Sequence, residues 1–322
     1  MPRWMPKALE AAGWCAVALL CALCITQWFG IESRRSITVL QALTPYLLFA
    51  AVPIAVAATA TNRHPLALTA MIPVITLLAL SFPIVFHDDA PAAADGSPRL
   101  TVAFGNLYAY NPTPEAAAEA IGNGRADVMV MAEITPEMVD QLDRTVGSDY
   151  PYRVDSVYNG PGSIALWSRY PIADGGLIDV GGRPSIDVTL SVDGRQVRVI
   201  GIHTLPPTTN PTMWKRQLQA IGRTEHTDSL PTVVVGDFNA SRFHPVFRSV
   251  LDHGWRDTHE TLGHGWSMSW PMDHGLTPPA FVRLDHALFG SGVAPTAIHD
   301  VPLPGSDHEG FVATFGFTAA AA

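Results

Sequence analysis

Hydrophobic positions are distributed along the chain in two ways. Up to about residue 86 they form long runs that charge seldom interrupts. Beyond about residue 99 they form short runs separated by polar turns. Charged residues are absent from 11–31, 36–62 and 65–86, windows of 21, 27 and 22 residues. A helix rises about 1.5 Å per residue, so each window is long enough to cross roughly 30 Å of hydrocarbon. A cleaved signal peptide has a shorter apolar core, and no further spans follow it. The pattern predicts three transmembrane helices, at about 11–31, 37–60 and 65–86, within an anchor spanning 1–87. Pro45, Pro53, Pro73 and Pro83 fall in the second and third spans, where neighbouring helices can cover the freed carbonyl groups.

After an Ala/Pro/Gly/Asp linker at 88–98, a domain is expected over 99–318, followed by an alanine tail at 319–322. Strand character marks 99–107, 126–133, 162–168, 185–192, 196–203, 231–238, 284–290 and 310–317. Helices are expected to start at Thr113-Pro114 and Thr135-Pro136, each a capping threonine followed by proline, and near Trp214. Several strands follow one another with no helix between them. That favours two packed sheets with helices outside over a doubly wound parallel sheet.

Charge narrows the function. From Asp88 onward 27 acidic residues stand against 15 basic ones, a net charge near −12. Duplex nucleic acid attracts basic faces, so nucleic acid is possible but the less favoured partner. Cys15, Cys21 and Cys24 all lie in the first apolar window and read as small packing residues. With the N-terminus in the cytoplasm, Arg3, Lys7 and Arg63 lie inside and Arg34 and Arg35 outside. This positive-inside bias places the C-terminal domain outside the cytoplasm, on a multi-pass plasma-membrane anchor.

The candidate chemistry sits at the ends of apolar runs. Asn106 follows VAFG, Glu133 ends DVMVMA, His203 ends VRVIGI, and Asp285 opens DHALF. Asp237 and Asn239 close VVVGDFN, and Asp307-His308 precede EGFVATF. Turns favour Asn and Asp intrinsically, which accounts for any one of these but poorly for the whole set. Residues two apart on a strand point the same way, so Asp237 and Asn239 are expected to face one phosphate together. Hard carboxylate donors such as Glu133 suit Mg²⁺ or Mn²⁺. Two histidines among carboxylates suit metal-assisted hydrolysis with an acid–base pair. There is no H-E-x-x-H, no G-x-x-x-x-G-K and no G-x-S-x-G.

The ordered series GN at Asn106, AE at Glu133, SIALWSRYPI, IHTLPP, VVVGDFNA, RLDHALFG and GSDHEGFVATF resembles the endonuclease/exonuclease/phosphatase superfamily. That superfamily includes deoxyribonuclease I, apurinic endonucleases, neutral sphingomyelinases and inositol polyphosphate 5-phosphatases. The resemblance covers about 99–318 and implies a four-layer α/β/β/α sandwich (an α+β, deoxyribonuclease I-like fold) with the active site at one edge. It implies Glu133 as the principal metal ligand, with Asn106 supporting metal and phosphate. It implies His203 and Asn239 as phosphate contacts and Asp237 as the acid at the attacking water or leaving group. His308 becomes the acid/base, oriented by Asp285, with Asp307 in the metal environment. Glu309 departs from the basic or apolar residue often found after the histidine, and Lys215 is the one lysine beyond the apolar windows.

Together these features suggest a membrane-anchored, divalent-metal-dependent phosphodiesterase or phosphatase. A lipid or envelope phosphodiester is the preferred substrate, because a domain about a dozen residues from a span samples the membrane surface at high effective concentration. An extracytoplasmic nuclease is the rival enzyme. A catalytically silent module that binds a phosphorylated ligand is the rival of a different class. Lys215 and Arg216 in WKRQLQAIGR read as a solvated helix face, and Trp266 and Trp270 either line the substrate mouth or pack.

Overall fold

The computed structural model describes residues 5–122, 126–145, 147–225, 230–272 and 279–319. The long apolar runs form five helices: α1 (Met5–Trp28), α2 (Arg35–Ala42), α3 (Thr44–Phe49), α4 (Ala51–Ala60) and α5 (His64–Val85). By length and composition α1 and α5 can each cross a bilayer. The second expected span is not one helix, because α2 meets the α3–α4 rod at 65°. Pro45 stands in the first turn of α3. A proline brings no N–H and its ring crowds the carbonyl one turn back, so the chain breaks there. Two unbroken apolar helices and one bent pair therefore replace the three continuous helices expected.

Contacts along the helices give their directions. Gln27 Nε2 donates to Thr44 Oγ1 at 2.6 Å. Leu23 and Cys24 pack on Leu48, and Val17 packs with Ala58 and Leu66. The α3–α4 rod is thus antiparallel to α1. Glu10 pairs with Arg63 and a Cβ on Gly13 would touch Leu66, so α5 runs beside α1 in the same direction.

The short apolar runs form β1 (Leu100–Asn106), α6 (Pro114–Gly122), β2 (Val128–Ala132), α7 (Pro136–Thr145), β3 (Tyr152–Ser156), β4 (Ile164–Ser168), β5 (Ile172–Asp179), β6 (Pro184–Val192), β7 (Arg195–His203), α8 (Pro211–Gly222), β8 (Thr232–Asp237), α9 (Pro245–Asp252), β9 (Arg256–Asp257), α10 (Thr258–Thr261), β10 (Asp285–Phe289), β11 (Val293–Pro302) and β12 (Glu309–Phe317). They make two six-stranded sheets, ordered β11-β12-β1-β2-β4-β3 and β5-β6-β7-β8-β10-β9. Period-two alternation sorts the side chains into layers. Val102, Phe104, Val128 and Val130 of one sheet meet Val188, Val199, Val233 and Val235 of the other in the central core. Ala103 and Met129 face outward against α6 and α7, and Ile200 and Val234 face outward against α8 and α9. The result is the four-layer α/β/β/α sandwich expected.

The helical unit is docked on this sandwich by polar contacts. Glu32, between α1 and α2, is buried; it accepts from Val246 N at 2.9 Å and pairs with Lys215 Nζ at 3.0 Å. Arg248 reaches Gln27 Oε1 at 3.0 Å, and Tyr46 donates to the Phe281 carbonyl at 2.8 Å. Lys215 is therefore a latch onto the helical unit, not part of a solvated helix face.

Candidate active site

Strand direction brings the polar run-ends together. β1 and β2 are parallel with Asn106 opposite Ala132, so Glu133 emerges beside Asn106. β12 is antiparallel to β1, so His308, just before its start, returns to the same end. In the other sheet His203 lies opposite Asp237 in parallel register, and Asp237 lies opposite Asp285 in antiparallel register. Gly236 makes this approach possible. A Cβ there would overlap the backbone carbonyl oxygen of Ile202 on β7.

Asn106 joins the two sheets. Its Nδ2 lies 3.2 Å from both Glu133 Oε1 and Asp237 Oδ2, and its Oδ1 accepts from Tyr108 N at 3.0 Å. The second Glu133 oxygen accepts from Ala109 N at 3.1 Å. His203 Nε2 stands 3.6 Å from Asp237 Oδ2 and 3.8 Å from Glu133 Oε1. His308 Nδ1 is 2.8 Å from Asp285 Oδ2, and its Nε2 is 3.9 Å from Asp237 Oδ2. Ser306 ties this motif to the cleft: its hydroxyl donates to the Asn106 carbonyl at 2.7 Å and accepts from His308 N at 3.0 Å. Asp307 stands to one side, its Oδ2 accepting from Trp270 Nε1 at 3.2 Å.

Asn239 departs from expectation. β8 ends at Asp237, and Asn239 has φ 47°, so strand alternation does not align the two side chains. Asn239 N donates to Asp237 Oδ1 at 2.7 Å, while its side-chain Nδ2 donates to the Thr204 carbonyl at 3.0 Å. Tyr108 and Glu133 are also left-handed, at φ 59° and 55°. Three such residues around one cleft are a form of backbone strain that clusters at functional sites.

Burial separates the protonation states. Burial, helped by the positive charges of Arg183 and His308, pushes His203 down to about 3, so it is neutral near pH 7. Burial and the neighbouring Asp285 push Asp237 up to about 7, where a carboxyl exchanges a proton readily. Burial opposes charge on His308 as well, but Asp285, Asp237 and Asp307 outweigh it and raise the imidazole to about 10. His308 is therefore an imidazolium at neutral pH, a donor instead of a base. Burial also raises Glu133, partly offset by its hydrogen bonds from Ala109 and Asn106.

The donor set fits a hard divalent cation. Four carboxylates, Glu133, Asp237, Asp285 and Asp307, gather with one imidazolium. Among the described residues no lysine or arginine pairs with any of them. Asp285 Oδ1 is buried with no hydrogen-bond partner. Asp237, Asp285 and His308 offer ligand atoms within 4.8 Å of one another, but the His308–Asp285 hydrogen bond already engages two of them. Glu133, both of whose oxygens accept from neutral donors, has a more exposed carboxylate than Asp237 or Asp285.

A second buried network, not singled out from sequence, supports the edge. His286 Nδ1 meets Asp257 Oδ2 at 2.6 Å, and its Nε2 meets the Ala240 carbonyl at 2.9 Å, anchoring the loop after Asp237. Ser269 Oγ accepts from the backbone of Leu284 at 3.0 Å and of Asp285 at 3.3 Å. His286 stands inside the RLDHALFG motif, which was its only sequence signal.

The sandwich and its polar edge put the chain among hydrolases of phosphate esters. The profile of the Endonuclease/Exonuclease/phosphatase family matches residues 102–308, and the chain belongs to that family. D. rerio TDP2 complexed with single strand DNA product superposes with a TM-score of 0.58 at 16% identity, covering 68% of this chain and 99% of that one. An endonuclease/exonuclease/phosphatase from Beutenbergia cavernae gives 0.55 at 19% identity, covering 69% and 72%. A family protein from Leptotrichia buccalis gives 0.53 at 17%, covering 68% and 100%. At these identities the likeness is one of fold. No curated protein matches the chain.

Proposed function

We propose that this protein is a membrane-anchored, Mg²⁺- or Mn²⁺-dependent phosphodiesterase whose domain, residues 99–318, acts on a substrate held near the bilayer. The observation that carries this is the convergence of Asn106, Glu133, His203, Asp237, Asp285 and His308 at one end of both sheets. Glu133 is the principal ligand, with Asn106 and Asp307 beside it; a bound cation supplies charge neutralisation at a phosphoryl oxygen. Asp237, poised near pH 7, takes the proton of the attacking water. His308 donates from Nε2 to a developing oxyanion while Asp285 holds its Nδ1 proton. Neutral His203 holds a remaining phosphoryl oxygen, and Asn239 serves another with the Nδ2 hydrogen that it does not give to the Thr204 carbonyl.

The helical unit serves as a three-pass anchor, with α1, the α3–α4 rod and α5 running up, down and up. The start of α1 and the Glu10–Arg63 pair lie at the other end of that helix from Gln27, which meets Arg248 of the domain. The positive-inside rule puts that end in the cytoplasm and the domain outside. The test uses the full chain in detergent micelles with bis-p-nitrophenyl phosphate, phospholipid and plasmid DNA, each with Mg²⁺ or EDTA. Mg²⁺-dependent turnover of the first two is expected. Turnover of DNA alone would make the protein a nuclease, and no turnover of any of the three would end the hydrolase assignment.

A further inference from the structure

Beside the catalytic edge lies a cavity of about 470 Å³ whose lining, apart from Asn239 and Asp307, has no part in the catalytic roles above. This is within the roughly 300–1,000 Å³ range of small-molecule sites. Asn239 and Asp307 line it on the catalytic side; Trp270 and Phe281 give it one wall, and Val39 and Leu43 give it a second. That second wall belongs to the α2–α3 bend, not to the sandwich. It is held in place: His244 Nε2 meets the Thr38 carbonyl at 3.0 Å, and the Tyr46 ring packs edge-on against Phe281 at 6.4 Å.

We infer that this cavity is the subsite for the hydrocarbon chain of a membrane-resident phosphodiester, with the bend of the second apolar segment as its lipid-side wall. The inference rests on the hydrolase assignment and adds the substrate class. Two observations single out an alkyl chain as the occupant. The lining is mostly aliphatic and aromatic, and it meets the catalytic edge at Asn239 and Asp307, which suits a phosphate ester with an apolar tail; Thr38, Thr208 and His244 are its other polar members. The wall also continues into apolar surface that only lipid would cover: Leu40, Phe49 and Val56 are exposed along the same helices. A chain could therefore slide from the bilayer along α3 while its phosphate reaches His308. The bend at Pro45 gains a purpose here. A straight second helix would carry Val39 and Leu43 away from Trp270 and Phe281. A polyanionic strand is the poorer occupant, since the domain carries 27 acidic residues against 15 basic ones.

The test uses the full chain in nanodiscs and a series of alkyl p-nitrophenyl phosphodiesters from methyl to dodecyl. Each buried methylene contributes enough to raise kcat/KM about fourfold until the cavity is full. The dodecyl-to-methyl ratio in the wild-type protein should exceed about a hundred. In Val39→Trp and Leu43→Phe, which fill the cavity from the helix side, that ratio should fall at least about tenfold. The ratio is independent of how much of each variant folds. A wild-type ratio near one overturns the subsite and leaves the hydrolase standing. A high ratio kept by both variants means the long chains merely partition into the disc, and also overturns it. Preferential cleavage of an oligonucleotide over the dodecyl ester would assign the cavity to nucleic acid. No turnover of even the methyl ester removes the hydrolase assignment, and the subsite with it.

Discussion

Replacing Asp285 with Asn removes one charge and almost no volume, and His308 is the group that should respond. Its Nδ1 lies 2.8 Å from the Asp285 carboxylate in a buried setting. Burial disfavours its charge, yet Asp285, with Asp237 and Asp307, raises it from 6.5 to about 10. That rise is worth roughly 5 kcal/mol in favour of the imidazolium. Without Asp285, Asp237 at 3.9 Å is the nearest remaining carboxylate. The introduced amide can offer oxygen to a protonated Nδ1 or N–H to a bare one, so the tautomer is no longer fixed. We expect kcat to fall about 10³- to 10⁴-fold at mildly alkaline pH, as for other acid–imidazole pairs. The deficit should shrink as pH falls toward about 6, because protons then restore the imidazolium. The assay is p-nitrophenol release from bis-p-nitrophenyl phosphate with Mg²⁺, with thermal unfolding as a control for folding. A folded variant that keeps more than about a tenth of wild-type kcat, or a deficit of the same size at every pH, would refute a charged His308 donor.

Other substitutions probe separate links. Glu133→Gln should raise the Mg²⁺ concentration for half-maximal activity at least about tenfold, read by metal titration of the rate; an unchanged titration would move the metal elsewhere. Gly236→Ala forces a Cβ into the Ile202 carbonyl and should cost about 1–3 kcal/mol or more, read from the denaturant midpoint. His244 is neutral in the fold, pushed down to about 4 by burial despite its backbone hydrogen bonds. The unfolded chain takes up its proton near 6.5, so this contribution is complete above that pH and is lost as pH falls toward 4. Acidifying from pH 7 to 5 should therefore cost roughly 2 kcal/mol at this site, and His244→Gln should flatten the dependence of the unfolding temperature on pH.

What could be read from sequence and what could not follow one physical division. All eight strands expected from apolar runs are present, and all are interior to their sheets. The four that escaped notice, β3, β5, β9 and β11, are the four edge strands. Edge strands bury one side at most and carry features that blunt further pairing. β5 is mostly exposed and carries Gly175 and Gly176, and β11 contains Pro295 and a register shift there. Neither leaves a continuous apolar run. The catalytic edge was legible because acids, amides and histidines interrupt otherwise buried strands, and such interruptions are costly without a role. Asn239 was misplaced because alternation was extended two residues beyond the strand, into a left-handed turn. The broken second span was missed because composition records apolarity but not direction; Pro45 was visible, and its consequence depended on where α2 found polar partners. Ser306 and His286 sat inside quoted motifs, but roles that act through backbone carbonyls leave no compositional trace.

The most direct measurement is the Mg²⁺-dependent turnover of bis-p-nitrophenyl phosphate by the purified full chain, alongside Asp237→Asn and His308→Ala. The wild-type protein should release p-nitrophenol with Mg²⁺ and cease with EDTA, and each variant should lose at least about a hundredfold while still folded. Equal rates for all three proteins, or a wild-type rate indifferent to EDTA, would contradict a metal-dependent phosphodiesterase site at this edge.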